Sequence, residues 1–404
     1  MVLRSVIIIS WISFFLFVPL TATEAIAPTD LTTSEDDQSE HLGEKLVERQ
    51  LESLGTDEIE QFWRMVQEEY EGFLPENQPV RIKDFFQTDG SLFSMGLVSG
   101  LLKYLFHELL LNGKLLGSIL ILTVFSAILE QMQAAFERNS ISKVAYAITY
   151  LVLLILAINS FQSAMGYARE AIASMVHFMM ALLPIVLALM ASVGNITSVS
   201  LFHPLIVFLV NSSGIFIYSF VLPLLFFSTI LGIISTFSDQ YKVTQLSKLL
   251  RNIGVGALGI FFTVFLGVIS VQGAATAVVD GVTIKTAKFV AGNFVPVVGK
   301  MFTDAADTVV GASLLVKNTI GLAGVFIIIL LCIFPALKIM TIALIYSLSA
   351  ALLQPLGSSN IIECLSIIGK NMLYVFAALA TVCLMFFLGL TIIIAAGNLS
   401  VMVR

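Results

Sequence analysis

His107 opens the most suggestive string in the chain, His107-Glu108-Leu109-Leu110-Leu111. A zinc-binding HExxH helix needs a second histidine one turn on, so that two imidazoles share a face. The fifth position here is Leu111, so that pair cannot form. The stretch from Gly292 to Lys300 ends in Gly-Lys, as a phosphate-cradling loop would. Its glycine spacing is wrong, and Met301 stands where a magnesium-binding Ser or Thr belongs. His41, His107, His177 and His203 have no ligand spacing. His177 and His203 read as hydrogen-bonded interior or interfacial groups. GxSxG, paired carboxylates and a Gly-rich dinucleotide loop are absent from the sequence. The expectation is no enzyme, no cofactor and no metal site.

Ionisable groups within apolar runs are a second kind of flag, because charge at membrane depth is costly. Lys103, His107 and Glu108 form the best such cluster. The bland reading is an intrahelical arrangement, or side chains snorkelling to the interface. Glu130 and Lys338 read as span-end groups reaching water, with Lys338 at a turn. No chain of buried Asp, Glu or His marks a proton path.

The elements that carry these residues follow from composition. The 404 residues are 58% hydrophobic and 12% charged, against roughly 25% charged in globular proteins. The chain changes character near residue 91. Residues 28–91 carry 17 acidic and 5 basic side chains, whereas residues 92–404 carry 9 acidic and 15 basic. The second block must have the bilayer as its solvent. No basic cluster is dense enough for nucleic acid. Cys332, Cys364 and Cys383 have no CxxC spacing and read as buried free thiols.

Residues 1–27 read as a secretory signal. Arg4 precedes an apolar run, and Ala25-Ile26-Ala27 is a candidate cleavage site, with an uncleaved first span as the alternative. Residues 28–91 form an acidic extracytoplasmic arm. In it Ile59, Phe62, Trp63, Val66 and Tyr70 recur at helical spacing, capped by Thr56 or Asp57 and stopped at Gly72. So few aromatics cannot build a core alone, so this helix should dock on the membrane part or on a partner. Gly96, Gly100, Lys103, His107 and Lys114 share a face of the next helix, which suits an interfacial position.

Nine spans follow, at about 115–135, 144–165, 171–191, 201–219, 220–237, 254–273, 320–337, 339–355 and 372–396, each near the roughly 20 residues a bilayer requires. Starting outside, this order puts the loops around Arg138 and Lys242, Lys338 and the C-terminus in the cytoplasm, as the positive-inside rule asks. Gly96–Gly100, Gly113–Gly117 and the cluster Gly254, Gly256 and Gly259 signal close helix packing or oligomerisation.

Residues 274–318 fit neither span nor loop. They read as an amphipathic helical hairpin split at Pro296. Lys285 and Lys288 lie on the polar side of its first arm. In the second arm Lys300, Asp304 and Asp307 lie on one face, and Phe302 and Val309 on the other. These eight residues are the candidate partner or pore surface.

Three strings resemble stage III sporulation protein AE of endospore-forming bacteria. They are Tyr70-Glu71-Gly72-Phe73-Leu74-Pro75-Glu76, Asp280-Gly281-Val282-Thr283-Ile284-Lys285-Thr286-Ala287-Lys288, and Gly292-Asn293-Phe294-Val295-Pro296-Val297-Val298-Gly299-Lys300-Met301-Phe302-Thr303-Asp304-Ala305. The resemblance implies an all-α polytopic membrane protein in the mother-cell membrane around the forespore. It implies a role in a secretion-like channel complex with other mother-cell stage III proteins and a forespore membrane partner. Homo-oligomerisation is compatible with it. The family brings no established catalytic residue. The competing expectation from the residues is a stand-alone secondary transporter with broken helices at its site.

Overall fold

The computed structural model describes residues 55–75, 79, 84–85, 95–135, 140–237, 243–294, 298–356 and 360–402. All of them belong to one unit, Gly43–Arg404. The helices are α1 (Asp57–Glu69), α2 (Met95–Leu111), α3 (Gly113–Ala135), α4 (Ser140–Ser192), α5 (Ile196–Phe216), α6 (Leu222–Phe237), α7 (Thr244–Phe294), α8 (Val298–Leu353) and α9 (Asn360–Met402). A π turn, Ile217–Val221, joins α5 to α6 without a loop. No strand occurs among the described residues.

The nine apolar segments are not nine helices. Five continuous helical stretches are long and apolar enough to cross a membrane, and α2 with α3, bent by 46°, makes a sixth. The segments 144–165 and 171–191 merge in α4, 201–219 and 220–237 in α5–α6, and 320–337 and 339–355 in α8. Tyr167, Ala168, Arg169 and Glu170 look like a break between two spans, yet they carry good helix propensity and sit inside one helix. Pro184, Pro204 and Pro335 are helix-internal. Each removes one backbone hydrogen bond, a loss that a packed bundle tolerates.

Residues 274–318 are likewise not two separate short helices. The first part continues α7 to Phe294, and the second begins α8 at Val298. Pro296 itself lies outside the described residues.

The bundle centres on α8 and α9, which pack along each other and on α4, with α7 behind α9 and α6 on α7. Phe326, Phe334, Tyr346, Phe386, Met372 and Leu379 are fully buried there. Cys332, Cys364 and Cys383 are buried free thiols, as the spacing suggested. Lys338 is not at a turn; it lies inside α8.

Candidate functional site

The arm helix α1 docks on the bundle by the aromatic stripe its spacing announced. Ile59, Trp63, Val66 and Tyr70 are buried. Phe62 meets Phe178 of α4 edge-on at 5.3 Å. Trp63 lies 6.0 Å from Phe326 of α8, and Tyr70 stacks flat on Phe334 at 3.8 Å. The Trp63 indole N–H donates to the Pro79 carbonyl at 2.9 Å, which satisfies its one polar atom. Burial, and after it the Glu69 carboxylate, hold the Tyr70 hydroxyl above its usual range. The Lys338 ammonium lies 3.8 Å from Glu69 and 5.5 Å from the Tyr167 ring. The opposite face of α1, with Asp57, Glu58, Arg64 and Glu68, is exposed.

The chain then turns at Gly72, whose φ of 83° suits glycine, and Phe73 crosses α2 at Gly100. A Cβ on Gly100 would stand 1.9 Å from the Phe73 carbonyl oxygen. Gly100 therefore serves this chain crossing, not the helix–helix contact that its GxxxG spacing suggested. The predicted cluster on α2 is only partly assembled. Lys103 and His107 are exposed, with Phe73 5.3 Å from the His107 ring, while Glu108 accepts a bond from the Asn112 amide at 3.3 Å. Lys114 falls on α3, beyond the bend.

A second polar site, which residue patterns did not reveal, ties four helices at one end of the bundle. The N-cap residue of α5, Asn195, makes no capping bond with its side chain. Its amide donates instead to the Gly397 carbonyl of α9 at 3.3 Å. Asp280 of α7 does the capping. Its two carboxylate oxygens accept from the backbone N–H groups of Thr197 and Ser198 at 3.0 and 2.8 Å. A carboxylate at a helix N-terminus meets both the unpaired donors and the positive end of the dipole. Lys317 of α8, fully buried, ties that helix to α9. Its ammonium donates to the Ile394 carbonyl at 3.2 Å and to Asn398 Oδ1 at 2.6 Å, in the last turns of α9. Gly397 makes room, since a Cβ there would lie 2.6 Å from Lys317 Nζ. These bonds bring Lys317, at the end of 274–318, and Asn398, near the end of α9, to the same end of the bundle.

At the other end the ties are hydroxyls. Ser228 and Ser247 exchange hydrogen bonds with each other's carbonyls at 2.7 and 2.6 Å, joining α6 to α7. Tyr150 of α4 bonds Thr236 of α6 at 2.8 Å.

Of the eight hairpin candidates, Lys285 and Val309 are exposed on α7 and α8. Lys288, Lys300, Phe302, Asp304 and Asp307 lie within those helices, but their side chains, like all of Pro296, fall outside the described residues. His177 and His203 are exposed, not interior groups. No cluster of three His, Cys, Asp or Glu that could hold a metal occurs among the described residues.

The family model described as stage III sporulation protein AE matches residues 80–397. A relative with that same description, from Bacillus subtilis (strain 168), is 55% identical over 361 residues, covering 89% of this chain and 90% of its own length. No solved structure matches.

Proposed function

Since the chain belongs to the stage III sporulation protein AE family, a sporulation protein built from membrane-crossing helices, we propose that it is a non-enzymatic integral component of a transenvelope, secretion-like channel complex between mother cell and forespore. It sits in the mother-cell membrane with its arm facing the space between the two membranes. Its partners are other mother-cell stage III membrane proteins and a forespore membrane protein.

One observation carries this reading. The ionisable groups of the bundle interior are spent on holding helices together. Asp280 is used on the α5 N-terminus, and Lys317 on Ile394 and Asn398 of α9. A transporter would keep such a helix N-terminus for its substrate; here Asp280 fills it. The charged face of α1 and the helices approaching Pro296 are offered to other proteins of the complex. Replacing Phe302 and Val309 with Asp should block spore formation and abolish co-purification with other sporulation membrane proteins, while the protein still accumulates in the membrane. Normal sporulation with unchanged co-purification would overturn the assignment of that surface.

A further inference from the structure

Three cations gather where α7 and α9 run side by side. The Arg251 guanidinium of α7 lies 4.9 Å over the Tyr374 ring of α9. Its Nε is buried and has no hydrogen-bond partner. One turn earlier on each helix stands an exposed lysine, Lys248 before Arg251 and Lys370 before Tyr374. Residues three or four apart share a helix face, so both lysines flank the Arg251–Tyr374 contact. They also stand at similar heights. A Cβ on Gly232 of α6 would lie 2.9 Å from Ile367 and 3.3 Å from Ser247. Those two residues are therefore level, and Lys248 follows the one as Lys370 lies within a turn of the other.

None of the three cations forms an ion pair with a described residue. The acid on this part of α9, Glu363, lies two turns before Lys370, about 10 Å along the helix. Both helices are apolar enough to cross a membrane, and unpaired charge on such helices is costly. Past the cluster neither carries a charged residue, from Asn252 to Val279 on α7 and from Asn371 to Met402 on α9. The cations themselves lie about 6–15 Å from the starts of the two helices. Leu249 and Ile253 of α7 and Leu373 of α9, 52%, 45% and 43% exposed, stand bare around them. Positive charge is thus concentrated at the near end of a long surface suited to lipid.

We propose that the α7–α9 groove at Lys248, Arg251 and Lys370 binds the phosphate of an anionic phospholipid. Basic pockets between membrane helices serve such headgroups. Arg251 offers a planar set of donors, including the Nε left without a partner, and stacking on Tyr374 holds that plane beside the groove. The two flexible ammoniums reach the same phosphate from either helix. The acyl chains lie along Ile253 and Leu373. A water-borne phosphate would meet the same donors, but the bare apolar side chains beside them suit a ligand that carries acyl chains. This assignment rests on the membrane-crossing helices and not on the channel reading.

The test uses the full-length protein, purified in detergent and freed of native lipid. Phosphatidylglycerol with a photoreactive acyl chain should label the stretches 246–260 and 370–381. Unlabelled phosphatidylglycerol should compete, whereas phosphatidylcholine and inorganic phosphate should not. Lys248→Gln and Lys370→Gln leave the Arg251–Tyr374 contact in place, and each should weaken phosphatidylglycerol binding roughly fivefold. Lys248→Arg combined with Lys370→Arg should keep it. Arg169→Gln, which removes an exposed cation elsewhere, should leave it unchanged. Wild-type affinity in the double Gln variant, or labelling confined to other stretches, would overturn the proposal. So would competition by phosphatidylcholine or inorganic phosphate as strong as by phosphatidylglycerol. A photoreactive residue in place of Leu249 that captures a protein and no lipid in sporulating cells would overturn it as well.

Discussion

At the scale of single residues, the buried charges among the described residues, Asp280 and Lys317, each tie one helix to another. Asp280 caps the N-terminus of α5, and Lys317 bonds the Ile394 carbonyl and Asn398 of α9. Removing a capping carboxylate costs roughly 0.5–2 kcal/mol, so Asp280→Ala should lower the thermal stability of the detergent-purified protein by about that much. An unchanged melting temperature would mean that Asp280 does not cap α5. Lys317 calls for a sharper test, because a buried charge and its partner respond differently to deletion. Asn398→Leu strands part of the ammonium, at about 1.5–3 kcal/mol for a bond to a charged group. Lys317→Met removes the charge itself, and such replacements are often neutral or stabilising. The expected order of melting temperatures is therefore Lys317→Met above Asn398→Leu. The reverse order would show that the ammonium is needed for more than its bonds to α9.

At the scale of elements, α1 is held by aromatic contact along two helices and by a backbone crossing at Gly100. Trp63 is fully buried, and truncating such a side chain costs about 3–5 kcal/mol. That exceeds what a 13-residue helix can supply from its own propensity. Trp63→Ala should therefore free the arm, seen as rapid protease cleavage between residues 57 and 75 with α4 to α9 intact. Gly100→Ala should do the same from the other side of the contact, because its new Cβ would displace the Phe73 carbonyl. Resistance equal to wild type in both variants would refute the docked arrangement. The stripe Ile59, Phe62, Trp63, Val66 and Tyr70 was legible in the sequence because periodicity records burial whatever the partner. The Asp280 and Lys317 junction was not legible. Its four helices come from positions 195, 280, 317 and 397, and periodicity within one helix carries no sign of contacts between distant ones. Family words did include Asp280, but within a stretch that reads as surface. The span breaks misled for a different reason: Arg169 and Lys338 look like loop residues, yet a continuous helix carries them out to the aromatic rings of Tyr218, Tyr167 and Tyr70.

At the scale of the whole molecule, joining nine segments into long continuous helices changes which ends share a side. With nine crossings, the segment around Pro296 and the C-terminus fall on opposite faces. With one crossing per long helix, they fall on the same face, and the Lys317–Asn398 bond requires this. The arm helix lies toward that face too, since it packs on α8 between Lys338 and the junction. The opposite end holds Lys248 and Arg251 near the start of α7, and an excess of such cations marks a cytoplasmic side. In non-sporulating cells made to express the protein, where the arm side faces the cell exterior, single cysteines in place of Glu60, Lys300 and Ser400 should therefore all react with a membrane-impermeant maleimide, whereas one in place of Gln245 should react only after lysis. Ser400→Cys decides between the two arrangements, because nine crossings would protect it together with Gln245→Cys. Protection at 400 with labelling at 300 would mean that at least one long helix divides into two spans in the membrane.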